Sequence, residues 1–215
     1  MTWALVAGAL RKGDDLRSAA AHAAFETLIS SRGVLVSVGG GPTRIHPRLR
    51  NLNILCARGV DLVGTAYRLP FADASIDGIH CEAVLEHLEY PDAAVAEMYR
   101  VLKPGTLVFA ATPFLQPYHA YPDHYQNFTL RGHTRLFERA GFTIADAGTC
   151  VGPTFAMLDF AANYAREYTP GRLPSRALER AIRVLGRALR LPDIRLRHHH
   201  AAEKLASSTF VLARR

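Results

Sequence analysis

Apolar positions along this chain switch between a helical period and short strand-like runs. From Asp15 to Ser31, Leu16, Ala20, Ala24, Leu28 and Ile29 recur at helical spacing and Arg32-Gly33 punctuates the end, so a helix is predicted there. Val34 to Val38 is a short apolar run halted by three glycines, the pattern of a buried parallel strand entering a tight loop. Further strands are predicted at Leu52 to Leu55, Asp61 to Thr65, Ile76 to Cys81, Thr106 to Thr112 and Phe142 to Thr149. Helices are predicted at Pro91 to Leu102 and Thr129 to Ala140, each followed shortly by a glycine. Strands alternating with helices imply right-handed crossovers, a mainly parallel sheet, and ligands at the C-terminal edge of the strands. Between the glycines and the second strand, Pro42 and Pro47 leave no room for a full helix. After Cys150 the pattern turns to helices, Phe155 to Arg166, Ser175 to Leu191 and Ala201 to Ala206, before a last strand at Ser208 to Ala213.

Composition narrows this picture. With 215 residues and 49% hydrophobic content, one substantial core is expected, and hence a single domain over 1–215. Its parts are an N-terminal helical segment (1–32), a core (33–150), a helical insertion (151–207) and the last strand (208–215). Cys56, Cys81 and Cys150 are odd in number and without a CxxC pair, which argues against a disulfide framework or thiolate metal site and suits a reducing cytoplasm. The apolar stretch Thr2 to Leu10 is too short to span a bilayer, and no later run reaches about 20 apolar residues. The expected location is therefore cytoplasmic, at most peripheral at a membrane. A net charge of +7 favours an acidic partner or reflects a solvated basic face.

The chemistry starts at Val38 to Thr43, VGGGPT. Glycines at a strand end let the backbone approach a ligand, and their amides can bind a carboxylate or phosphate. A dinucleotide motif is not completed, since Arg44 stands where the third glycine of GxGxxG would be. The segment Leu62 to Phe114 carries Leu69-Pro70-Phe71, Asp73, Ser75, Asp77, Val84-Leu85-Glu86-His87, Glu97 and Arg100 to Gly105. In that order these elements closely resemble small-molecule class I S-adenosylmethionine-dependent methyltransferases of the methyltransferase domain 11 type. The resemblance runs over Val34 to Gly141. It implies an α/β, Rossmann-like fold: a mainly parallel seven-stranded sheet with an antiparallel last strand, here with a helical insertion before it.

It also implies S-adenosyl-L-methionine as cofactor, held around Ser37, Gly39, Gly40, Gly41, Asn53, Thr65, Ala66 and Leu85. Ser37, Asn53 and Thr65 stand where the family usually has carboxylates, and Thr43 replaces the loop's third glycine. Hydrogen bonds to ionised groups contribute about 1.5 to 3 kcal/mol against roughly 1 for neutral pairs, so a weaker grip is expected, by one to a few orders of magnitude. Glu86 and His87 are expected to shape the wall beside the cofactor.

The stretch Pro113 to Thr129 follows a strand at the cleft and contains Tyr118, His119, Tyr121, Asp123, His124 and Tyr125. It resembles the acceptor loop of a subset of these enzymes. Methyl transfer needs an aligned nucleophile, and a hydroxyl nucleophile also needs a base. His119 is the first candidate, and His124 or Asp123 the second; the plainer role for Asp123 and His124 is to cap or brace the next helix. No metal is expected, because no HExxH-like spacing occurs and His198, His199 and His200 are simply adjacent. In the helix 175–191, Leu178, Ile182, Leu185 and Leu189 form a stripe expected to pack on the domain. Arg176, Arg180, Arg183, Arg187 and Arg190 lie largely outside it. That basic face suits solvent, an anionic membrane surface, an anionic carrier or a protein partner, whereas nucleic acid is disfavoured. The expected function is methyl transfer to a small-molecule or glycan-like acceptor. The alternative is a catalytically inactive scaffold or regulatory protein of the same fold.

Overall fold

The computed structural model describes residues 17–120, 122–188, 196, 199 and 201–215; the Thr2 to Leu10 stretch, Tyr121, Leu189, Arg190, His198 and His200 lie outside them. Helix α1 (Ala19–Ser30) begins at Ser18, whose hydroxyl accepts from the Ala21 amide at 3.1 Å and donates to the Thr149 carbonyl at 2.6 Å. One residue thus caps the helix and ties it to a distant strand. The strands follow as β1 (Leu35–Val38), β2 (Leu49–Asn53), β3 (Leu62–Val63), β4 (Ile76–Glu82), β5 (Leu102–Pro113), β6 (Thr143–Val151) and β7 (Ser208–Arg214). Between them lie a 3-10 turn (Leu85–His87), α2 (Pro91–Val101), α3 (Leu130–Arg139), α4 (Pro153–Tyr168), α5 (Arg172–Ala188) and α6 (Ala202–Leu205).

All seven strands form one sheet in the order β3-β2-β1-β4-β5-β7-β6, parallel except for β7, which is antiparallel to both β5 and β6. Consecutive side chains in the strands point to opposite faces. Val36, Val38, Ile79, Cys81, Val108 and Ala110 pack with α2 and α3, whereas Leu35, Leu49, Leu107 and Phe109 pack with α1. The order reverses direction at β1, whose neighbours β2 and β4 lie on either side, so a crevice opens at the C-terminal ends of β1 and β4.

Four predicted elements differ in the structure, the first being β3, which shortens from the predicted Asp61 to Thr65 to the exposed pair Leu62–Val63. β2 begins at Leu49, three residues ahead of the predicted Leu52, and ends at Asn53. Arg48 anchors the entry to β2 by donating to the carbonyls of Ile29 and Ser31, and the apolar pair Ile54 and Leu55 that suggested a later strand is exposed. β5 begins at Leu102, directly after α2, rather than at Thr106. The insertion helix begins at Arg172 instead of Ser175 and packs chiefly against α4, leaving Leu178 45% exposed rather than docked on the domain. The side chains of Arg183, Leu185 and Arg187 lie outside the described set. As expected, no helix fills the connection from β1 to β2.

His133 of α3 is fully buried; its Nδ1 lies 3.1 Å from the Thr209 hydroxyl and burial pushes its pKa from 6.5 down to about 3. The unfolded chain therefore takes up this proton at higher pH than the folded chain does. The neutral ring's contribution is intact above pH 6.5 and drains as pH falls toward 3. The slope is at most about 1.4 kcal/mol per pH unit. Urea unfolding of the wild type and His133→Gln between pH 6.5 and about 5 should show a shallower pH dependence in the variant. Parallel curves would show that His133 does not set it.

Candidate functional site

The crevice begins at the glycine loop. Gly39 and Gly41 have φ of +73° and +67°, a left-handed backbone that glycine adopts without strain. Packing restricts the loop further. A Cβ on Gly39 would stand 2.3 Å from Val84, and one on Gly40 would stand 2.5 Å from Asn51 Oδ1 and 2.8 Å from Ser37 Oγ. A Cβ on Gly41 would meet nothing within 4 Å, so this side of the loop faces open space. The buried Asn51 holds the loop from beneath, its amide donating to the carbonyls of Gly41 at 2.9 Å and Gly59 at 2.8 Å.

Under the loop runs a chain of polar groups. Ser37 Oγ lies 3.1 Å from His80 Nδ1, His80 Nε2 lies 3.2 Å from Glu82, and Arg17 donates to the same Glu82 oxygen at 2.6 Å. His80 is fully buried and stacked on Phe109, with Phe25 edge-on. Burial alone would raise the Glu82 carboxyl, but Arg17 and His80 outweigh it and hold its pKa at about 2. The chain thus keeps a carboxylate at the end of β4, one strand over from Ser37. Immediately after it, Ala83 takes a left-handed conformation (φ +55°), which is strained for a residue with a side chain.

That turn delivers the 3-10 segment to the other wall. Glu86 is fully buried; Thr112 lies 3.3 Å from its Oε2, while Oε1 has no hydrogen-bond partner among the described residues. Residues 122–128 fold over it, fastened by Tyr125 N to the Glu86 carbonyl and Gln126 to the Leu88 carbonyl. His87 Nδ1 faces the Asp123 carbonyl and His119 Nδ1 faces the Pro117 carbonyl at 2.9 Å. A carbonyl only accepts, so Nδ1 carries the proton in both rings and each Nε2 presents a lone pair. Those Nε2 atoms lie 3.7 Å (His87) and 3.9 Å (His119) from Glu86 Oε1. Burial lowers the His119 pKa, but Glu86 and the Pro117 carbonyl outweigh it and raise the value above 6.5.

His124 is committed differently. Its Nδ1 accepts from the His119 amide at 3.1 Å and its Nε2 donates to Asn127 Oδ1 at 2.7 Å, so both ring nitrogens are engaged. Burial leads the lowering of its pKa. Asp123 contributes its backbone carbonyl while its side chain is exposed. Neither residue caps α3: Thr129 does, accepting from the Gly132 amide at 3.1 Å.

The residues expected to hold a cofactor all lie along one edge. Ser37 is buried below the loop, Asn53 ends β2, Thr65 and Ala66 follow β3, and Leu85 opens the 3-10 turn. Asn53 Oδ1 accepts from Leu55 N at 3.2 Å and Thr65 Oγ1 from Tyr67 N at 3.3 Å, local turns that use part of their accepting capacity. Asn51, His80, Glu82 and Arg17 are additional residues of the site that the sequence does not single out. The motif residues further along act as braces. Arg100 ties Glu97 and Asp73 to the carbonyls of Leu69 and Phe71, and Lys103 pairs with Asp77 at 2.7 Å while Asp77 accepts from Val34 N.

Residues 44–110 match a methyltransferase domain family, a stretch that starts just past the glycine loop and covers about a third of the chain. A probable S-adenosylmethionine-dependent methyltransferase of Mycolicibacterium smegmatis is 33% identical over 103 residues, 45% of this chain and 40% of that protein. An uncharacterized methyltransferase of Schizosaccharomyces pombe is 38% identical over 68 residues, 32% of this chain and 24% of that protein. The matched stretches thus span less than half of these curated relatives. Among solved structures, a SAM-dependent methyltransferase of Thermotoga maritima, described as a possible histamine N-methyltransferase, superposes with a TM-score of 0.58 at 16% identity, covering 99% of this chain and 92% of that one. The [4+2]-cyclase SpnF superposes at 0.56 and 18% identity, over 95% and 84%. The strand order, the glycine loop at its switch point and these superpositions show that the chain has the Rossmann-like fold of class I S-adenosylmethionine-dependent methyltransferases, with a segment similar to a methyltransferase domain at residues 44–110.

Proposed function

We propose that the protein transfers a methyl group from S-adenosylmethionine to a hydroxyl, amine or carbon of a small-molecule or glycan-like acceptor. The observation that carries this reading is the meeting of two walls at one sheet edge. A glycine loop open at Gly41 touches, through Val84, the turn that bears Glu86 and His87 and is covered by the His119 loop. The cofactor, when bound, supplies an electrophilic methyl group. Gly39 to Gly41, Asn53, Thr65, Ala66 and Leu85 would hold it. Their fit is adequate but lightly charged: Asn53 and Thr65 are neutral, and no helix N-terminus stands behind the loop to add its dipole. On the acceptor side, His119 Nε2 presents the lone pair that takes the nucleophile's proton, and Glu86 balances the charge that results.

Isothermal calorimetry with S-adenosylhomocysteine should give a Kd between about 10 µM and 1 mM. Asn53→Asp should tighten it about tenfold by restoring a charged acceptor. No binding at millimolar ligand would favour the inactive-scaffold reading, which the missing carboxylates otherwise motivate. The family fold does not fix the reaction, since a cyclase shares it. In a screen of hydroxylated small molecules and glycosides read as S-adenosylhomocysteine release, His119→Ala should lower turnover on the order of 10²-fold. Its S-adenosylhomocysteine affinity should stay as in the wild type. Undiminished turnover would remove His119 from the mechanism.

The same reading includes an encounter with an anionic membrane surface. No helix among the described residues is long and apolar enough to cross a membrane. However, α4 and α5 expose Met157, Phe160, Tyr164, Tyr168 and Leu173 beside the exposed Arg172, Arg176 and Arg180. Aromatic side chains at the headgroup level and arginines worth about 1 kcal/mol each near anionic lipid would together localise the protein. Flotation with phosphatidylserine vesicles at low salt should recover the wild type, and changing the three arginines to Gln should abolish recovery with thermal stability unchanged. Recovery that survives the substitutions, or none for the wild type, contradicts membrane docking.

A further inference from the structure

Glu86, His87 and His119 bring three electron-pair donors together. Oε1 of Glu86 and Nε2 of His119 are buried without a hydrogen-bond partner among the described residues, and they face each other at 3.9 Å. Nε2 of His87 stands 3.7 Å from the same oxygen, and all three ligand atoms lie within 4.8 Å of one another. These separations are too long for hydrogen bonds and close to the edges of a metal polyhedron, about 3.3 Å for ligands at 2.0 to 2.1 Å in a tetrahedral site. A few tenths of an ångström of movement per ligand would close the set.

The surroundings complete the argument. Each imidazole turns its Nδ1 to a backbone carbonyl, of Asp123 for His87 and of Pro117 for His119. That contact fixes the tautomer in which Nε2 is free to coordinate, the usual outer support of a metal-bound histidine. Burial of an unpaired carboxylate oxygen is costly unless a cation meets it. We infer that Glu86, His87 and His119 form a three-ligand site for a divalent transition-metal ion, Zn²⁺ by ligand type, with a remaining coordination position for an oxygen of the acceptor.

Two imidazoles and one carboxylate are a borderline donor set that suits Zn²⁺ and Co²⁺ over Mg²⁺ or Ca²⁺, which prefer all-oxygen sites. His87 and His119 are the partly exposed corners, 15% and 17% by their side chains, and an acceptor oxygen would enter on their side, away from the buried Glu86. Metal binding does not depend on methyl transfer; only the ion's role toward the acceptor rests on the function proposed above. In the metal-bound form His119 is a ligand, and the ion takes over its part in activating the acceptor.

Equilibrium dialysis of the full chain against Zn²⁺ or Co²⁺, without S-adenosylmethionine, tests the site. The wild type should take up one ion, with the visible spectrum of low-coordinate Co²⁺. Glu86→Gln and His119→Ala, checked for folding by circular dichroism, should each weaken uptake on the order of 100-fold. Replacing His198, His199 and His200 by Ala should leave uptake unchanged. The inference is overturned if the wild type binds no ion, or if uptake follows the 198–200 run and survives Glu86→Gln. Metal uptake by a chain that binds no S-adenosylhomocysteine would uphold this site while removing the methyl-transfer reading.

Discussion

A side-chain carbon has nowhere to go at Gly39 or Gly40, and much of the site depends on that crowding. Val84 presses on one glycine, Asn51 and Ser37 on the other, so the loop after β1 is a joint between β1, β2 and the turn after β4 rather than a free connection. Asn51 completes the joint by bonding the carbonyls of Gly41 and Gly59 together. Because Val84 belongs to the turn that leads to Glu86, the position of one wall of the crevice is coupled by direct packing to the other.

The absence of acidic residues at Ser37, Asn53 and Thr65 has a structural counterpart. The Ser37 hydroxyl meets His80, and His80 joins it to a carboxylate, Glu82, at the end of the same neighbouring strand, which Arg17 helps hold ionised. Negative charge is thus present near the loop but is moved from β1 to β4 and already paired. An ion pair of this burial is expensive to break, since either partner alone would be left a poorly solvated charge. The arrangement therefore stiffens the floor of the crevice, while any ligand above it meets mostly neutral groups and backbone.

What could be read from the chain beforehand follows the physics of range. The strand and helix order, the missing first crossover helix and the glycine loop depend on local periodicity and local breakers, and these were legible. The start of β2 was not, because Ile54 and Leu55 carry the apolar signal of a strand yet lie at the surface, while Arg48 anchors the entry to β2 on the carbonyls of Ile29 and Ser31 at the end of α1. Likewise Arg17, Ser37, His80 and Glu82 come from three separate elements, and only the sheet brings them into line. Glu86 and His119 were each visible as polar residues near the crevice. Their meeting depends on a loop folding back through backbone hydrogen bonds that no spacing rule describes.

The place of β7 has a consequence for how the molecule is made. The last strand in sequence lies between β5 and β6, and it is hydrogen-bonded to both over its whole length. Until residues 208–214 have left the ribosome, β6 has no neighbour in the sheet and the edge of β5 away from β4 stays unpaired. The N-terminal strands can assemble during synthesis, whereas the far half must wait for the end of the domain. Non-local closure of this kind slows folding and leaves apolar strand edges exposed in the interval.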